Sequence, residues 1–290
     1  MTAARDPRNL AGGAWILADM ALNIWALSIV KAMGLDYGPA QLVFLRACVG
    51  LALIAPWIWR DRRAFRGVDK PVLHLARVAA SMLALSASFF ALARMPFALF
   101  SAIGFTRPFV MMALAALLLH ERIPARRWLA ALVAFVGVLV AVNPAQMAAP
   151  SAALLAALAT VVFGSLAVIL TRALAGTPTV VMMAFYTGGL TLFSAPLAFL
   201  SWVPVTAADW VPLLAIGFFA QSAQLCFLRA HALAEAGFLA PLGYLSLVMT
   251  TAVGWAVFAE RPNAAFVIGA TLILAAALWT TRTAGTARRS

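Results

Sequence analysis

Apolar residues run along this chain in long continuous blocks, separated by short polar or proline-bearing breaks. The blocks do not alternate polar with apolar, so they read as helices rather than as strands of a barrel. Ten are expected, over 11–33, 40–59, 71–93, 97–119, 126–143, 152–173, 179–201, 209–230, 236–258 and 263–281. Each is close to the roughly 20 apolar residues that a helix needs to cross a bilayer core of about 30 Å. The punctuation between them falls at Gly38-Pro39, Asp61-Arg62-Arg63, Met95-Pro96, Asn143-Pro144, Thr177-Pro178 and Arg261-Pro262. The first block follows Arg5 and Arg8 as a leader peptide would. It is too long for a leader's apolar core and is interrupted by Asp19, so an uncleaved first membrane helix is the better reading.

Composition agrees. The 290 residues are 65% hydrophobic and only 10% charged, with a mean hydropathy of +0.99. A soluble domain carries about a quarter charged residues, because its surface needs polar cover. Here the surface must face lipid.

The net charge of +12 changes the picture only in its distribution. Lys and Arg fall in the gaps between blocks, without interleaved aromatics, which speaks against a nucleic-acid partner. With the N-terminus inside, fifteen cationic residues lie on the inner side and three on the outer, Lys31, Arg94 and Arg261. The excess of Lys and Arg on cytoplasmic loops then predicts that both termini are cytoplasmic. Trp57, Trp59 and Trp128 fall at the inner interface and Trp202 and Trp210 at the outer, as belt residues do. Cys48 and Cys226 lie within apolar runs and read as small buried hydrophobes, not as a disulfide or a metal pair.

Two stretches, GFTRPFVMMALAALLLHERIPARRW at 104–128 and GYLSLVMTTAVGWAVFAERPNAAFV at 243–267, align at an offset of 139 residues. At that offset Gly104 meets Gly243, Glu121 meets Glu260 and Arg122 meets Arg261; upstream, Pro39 meets Pro178 and Gly50 meets Gly189. Matches of Ala and Leu are cheap in such a chain, but a Glu-Arg pair closing an apolar run in both halves is not. Each half, 1–145 and 146–290, would hold five spans. Two copies of an odd unit in one chain sit upside down relative to each other, an arrangement by which secondary transporters build two gates around one midplane site. The expected fold is therefore an all-α integral membrane protein with ten transmembrane helices as two inverted five-helix repeats.

The stretches FSAIGFTRPFVMMALAALLLHERIPARRWLAALVAFVGVLVAV at 100–142 and FLAPLGYLSLVMTTAVGWAVFAERPNAAFVIGATLI at 238–273, with FLRACVGLAL at 44–53, resemble the drug/metabolite transporter superfamily in its ten-span branch with two EamA domains. Within it, the aromatic amino-acid and metabolite exporters of the YddG type look nearest. The resemblance covers nearly the whole chain. It implies export across a bacterial inner membrane, with amino acids among the cargo, and says little about which ones.

Polar groups left inside the spans are the candidate site. Arg107 sits near a midplane, too deep to reach either interface, and Pro108 and Gly104 beside it allow the helix to kink or open. It either meets a ligand or pairs with Asp19. Trp15, Asp19 and Asn23 recur every four residues and share one face. Asp19 there could hold an ammonium or a proton, with Trp15 as apolar contact, or form a salt bridge to Arg107, Arg46 or Arg77. Arg46 and Arg77 lie closer to the interfaces and can snorkel. Gln221 and Gln224 share a face and serve either ligand or helix packing. Tyr186 and Tyr244 could stack on a substrate or simply pack. His74, His120 and His231 are accounted for by their places at helix ends. Three intraspan arginines against one aspartate favour an anionic or zwitterionic ligand, and an amino acid fits: carboxylate to Arg107, ammonium to Asp19, side chain to aromatics.

An intramembrane enzyme would need a nucleophile with its base, paired deep aspartates or metal ligands, and the spans contain none. An ATP-driven pump lacks its phosphate-binding GxxxxGK[ST] loop. What remains is a secondary transporter working as a monomer on small molecules, with the bilayer as its partner and no cofactor or metal. Organic-cation or multidrug export on the same fold is the alternative.

Overall fold

The structure, a computed structural model, describes residues 7–34, 36–118, 125–142, 152–174, 176–234, 242 and 245–286. Every regular element among them is helical: α1 (Pro7–Met33), α2 (Pro39–Arg60), a 3-10 turn (Arg62–Phe65), α3 (Pro71–Leu92), α4 (Phe97–Gly104), α5 (Arg107–Leu118), α6 (Ala125–Val142), α7 (Ala152–Ala173), α8 (Thr179–Leu200), α9 (Trp210–Leu233), α10 (Leu245–Phe258) and α11 (Ala264–Thr286). Seven apolar stretches are long enough to cross a membrane, and Leu245–Phe258 and Ala264–Ala276 are shorter apolar helices. Proline starts α2 and α3, where its missing N–H costs nothing and its fixed φ suits the first turn.

The block expected over 97–119 is not one helix. It breaks at Phe105 and Thr106 into α4 and α5, with Arg107 opening the second piece. Thr106 Oγ1 donates to the Ile103 carbonyl at 2.7 Å, and the backbone N–H groups of Phe109 and Val110 return to the Thr106 carbonyl. Pro108 has no N–H to continue the first helix's ladder, and the side-chain and turn bonds satisfy the freed groups.

Helices pack mainly across the two halves of the chain: α1 on α9 and α3 on α7, with α2 on α8, α4 on α10 and α6 on α11. Small residues permit the close crossings. Gly137 of α6 and Gly269 of α11 bring backbone against backbone, so that a side chain at Gly269 would meet the Gly137 carbonyl oxygen. The outward surface carries large apolar side chains such as Leu53, Trp59, Phe199, Leu200 and Val211. In water such a surface would aggregate; against acyl chains it is the expected coat.

Candidate functional site

Arg107 begins α5, and its guanidinium lies over Gly164 of α7, where a Cβ would come within 3.3 Å of Nη2. Its carbonyl receives Ser165 Oγ at 3.5 Å. The side chain itself is accessible. Among the described residues neither Arg107 nor Asp19 forms an ion pair, so the Arg107–Asp19 and Asp19–Arg46 or Asp19–Arg77 bridges weighed from sequence are not made.

Asp19 of α1 is 9% exposed and accepts one hydrogen bond, from Asn23 Nδ2 at 2.8 Å. Asn23 is exposed although Asp19, Met20 and Ala26, one helical turn away on the same side, are buried. Trp15, a turn further toward the N-terminus, is exposed as well.

Arg46 of α2 is half-buried, and its Nη1 is enclosed without a partner. Gln221 of α9 is 6% exposed, and its Nε2 is likewise unpaired. The other end of that amide rests on Gly50, where a Cβ would stand 2.8 Å from Gln221 Oε1 and 3.3 Å from Thr187 Cγ2. Gln224 is half-buried one turn along the same helix. Enclosed donors without partners cost free energy, which a ligand acceptor would recover.

Arg77 is differently placed. Its Nε donates to Thr171 Oγ1 at 2.7 Å, its Nη1 to the Met182 carbonyl at 3.2 Å, and Cζ lies 5.5 Å from the Tyr186 ring centroid. It ties α3 to α7 and α8. Tyr186 is half-buried beneath that guanidinium. His74 is fully buried and stacks on Phe185 at 4.5 Å, with neither ring nitrogen paired. A helix-end position alone therefore does not account for it. Tyr244, Gly243, His120 and the Glu121-Arg122 pair lie outside the described residues, and of Pro108 and His231 only the backbone is described.

One cluster escaped the sequence reading. Lys31 Nζ, at the end of α1, sits 2.9 Å from Glu260 Oε1, donates to the Met95 carbonyl at 2.8 Å and lies 5.3 Å from the Phe258 ring centroid. Glu260 Oε2 accepts the Phe97 N–H at 2.8 Å, at the start of α4. The carboxylate has room because residue 254 is glycine; a Cβ there would come 2.8 Å from Oε2. Ala259, at φ +54°, turns the chain so that the Glu260 N–H returns to the Gly254 carbonyl at 3.0 Å. A left-handed alanine costs about 1–2 kcal/mol, offset by the carboxylate's contacts. On the same face, Gln41 brackets Val203 with both ends of its amide, at 2.7 and 3.0 Å. Tyr37 donates to Asp209 Oδ2 at 2.7 Å, and Thr206 Oγ1 to the same oxygen at 2.6 Å. These two hydroxyls, Thr206 first, hold the Asp209 carboxyl below its ordinary pKa, while the bond to Asp209 raises that of the Tyr37 phenol. The sequence signal was the Glu260-Arg261 pair, read for its repetition and not for a partner.

An all-helical chain with a lipid-type coat, an interrupted span and unpaired polar groups between helices is a multi-pass membrane protein of the transporter class. Residues 13–143 and 150–282 each match the EamA-like transporter family. The chain belongs to that family and is a transporter rather than an enzyme. It is 30% identical to the pseudopaline exporter CntI of Pseudomonas aeruginosa, over 92% of this chain and 94% of the exporter. It is 29% identical to a riboflavin transporter of Rhizobium johnstonii, over 97% and 94% of the two chains. It is also 22% identical to an S-adenosylmethionine uptake transporter of Rickettsia felis, over 93% and 92%. A crystal structure at 21% identity shares the fold with a TM-score of 0.63, covering 94% of this chain and 96% of that one.

Proposed function

We propose that this protein is a secondary transporter of the bacterial inner membrane, with both termini cytoplasmic. It exports amino acids, aromatic and other neutral ones, and related metabolites by alternating access. The family does not choose the cargo, since its relatives carry different molecules and include both an exporter and uptake transporters. The observation that carries the reading is Arg107: an accessible guanidinium without an ion pair, lying over Gly164 of α7 at the break of a span. Such a group is retained in a membrane when something with negative charge comes to meet it. In this reading a carboxylate binds Arg107, and Arg46 and Gln221 offer further unpaired donors. Asp19 and Asn23 take the ammonium, and aromatic side chains with Tyr186 hold the apolar part. Organic cations would be disfavoured by three intraspan arginines.

Alternating access is supported by the helix pairing and by the Lys31–Glu260 contact. In α1 on α9 and α3 on α7, the first and third helices of each half exchange roles; the second, fourth and fifth pair with their own counterparts, as two inverted repeats would. Lys31 and Glu260 then close the outer face by holding α1, α4 and the end of α10 together.

Counterflow into proteoliposomes tests the cargo. Vesicles preloaded with amino acids are expected to accumulate a labelled aromatic amino acid. Arg107→Ala should abolish the uptake, and Arg94→Ala, whose guanidinium is spent on the Phe90 carbonyl and ring, should not. Accumulation driven only by paraquat-like dications would overturn the amino-acid reading.

A further inference from the structure

The segment from Arg60 to Lys70, which joins α2 to α3, carries Arg60, Arg62, Arg63, Arg66 and Lys70 against Asp61 and Asp69. All five cations are exposed, and none forms an ion pair among the described residues. Asp61 is engaged by the indole of Trp57 at 2.8 Å. The 3-10 turn lies over the start of α8 and leaves a pocket on either side of Ala64 and Pro178. One, of about 480 Å³, contains Trp57, Arg60 and Arg63 together with Thr179. The other, of about 390 Å³, contains Arg66, Lys70, Gly176 and Thr177. Each therefore offers two cations and one aspartate, Asp61 in the first and Asp69 in the second, a net single positive charge at the end of a 22-residue apolar helix, the depth at which lipid headgroups lie.

We propose that these paired pockets hold the headgroup of an anionic phospholipid. A further observation favours a lipid over a free anion: Trp59, Val72 and Leu75 are exposed apolar residues on the neighbouring turns of α2 and α3, so a path for acyl chains lies beside the cations. The site is independent of the cargo reading above.

Native mass spectrometry of the purified protein, titrated with phosphatidylglycerol or phosphatidylcholine, reads it directly. A cationic residue near an anionic lipid strengthens binding about fivefold. R60Q/R63Q is therefore expected to bind phosphatidylglycerol roughly thirtyfold more weakly, R60K/R63K to recover most of that loss, and phosphatidylcholine to bind weakly to all. R62Q/R229Q removes the same charge outside both pockets and should retain binding within about threefold of the wild type. Equal losses in the two glutamine variants would reduce the effect to diffuse attraction and overturn the proposal. So would displacement of the lipid by millimolar inorganic phosphate, which would make the pockets a free-anion site.

Discussion

Single residues decide where polarity is tolerated in this bundle. Gly50 is the clearest case, because its missing side chain is what allows the Gln221 amide to stand between α2, α8 and α9. Gly50→Ala would place a methyl group 2.8 Å from Gln221 Oε1. Overpacking of this kind costs about 1–3 kcal/mol where the neighbour is held. A side-chain amide can instead swing away and carry its donor with it. The expected outcome is a modest fall in melting temperature with a severalfold rise in the substrate concentration giving half-maximal counterflow. An unchanged concentration dependence would show that Gln221 serves packing alone. Arg77 illustrates the opposite case: a buried guanidinium whose donors reach Thr171 and Met182 is already satisfied, and Arg77→Ala would register chiefly as lost stability.

At the scale of elements, the interruption between α4 and α5 and the closure at the end of α10 work as a pair. The first leaves Arg107 at a helix start, with its guanidinium over Gly164 and its carbonyl accepting from Ser165. The second ties the start of α4 to Glu260 and Lys31, so the two short helices are fixed at that end and broken in the middle. Glu260→Gln removes the ion pair and weakens the bond to Phe97. Hydrogen bonds to charged groups contribute about 1.5–3 kcal/mol each, so the balance of closed and open states should shift roughly ten- to a hundredfold toward open. Labelling of a single cysteine placed near Asn23, in a background without Cys48 and Cys226, should become faster from the Lys31 face. Labelling that stays as slow as in the parent would mean that the contact is a loop tether and not a gate. Gly254→Ala, which crowds the same carboxylate, should move the labelling rate in the same direction.

The whole molecule is held by contacts between its halves. Helix α6 meets α11 backbone to backbone at Gly137 and Gly269, and no side chain fits between them. Gly269→Val would force the halves apart at this crossing. The expected result is a loss of about 1–3 kcal/mol, seen as a lower melting temperature in detergent. Substrate that bridges the halves would be expected to restore part of the loss. A variant as stable as the parent would show that the α6–α11 crossing is dispensable. Direction of transport also belongs to this scale, since it depends on which face opens to which concentration of cargo and not on any one residue.

Much of this was legible in the chain. Blocks of apolar residues with proline and glycine at their ends determined that the protein is helical and faces lipid, because a bilayer leaves a backbone no other way to satisfy its groups. Several of their ends fell within a few residues of the observed helices, as at 71–93 for Pro71–Leu92 and 179–201 for Thr179–Leu200, whereas the block at 236–258 begins outside the described residues. Gly104 and Pro108 marked the place where the fourth block breaks, since a residue without a side chain and one without an N–H both weaken a helix. Partnership was not legible. Nothing in the order of residues says that Lys31 reaches Glu260, that Arg77 is spent on Thr171 while Arg46 keeps an unpaired nitrogen, or that Asp19 meets Asn23 and no arginine. Periodicity reports which face of a helix a side chain occupies. Which helix stands opposite that face, and how closely, is set by the packing of small residues across the two halves, and only the tertiary structure decides it.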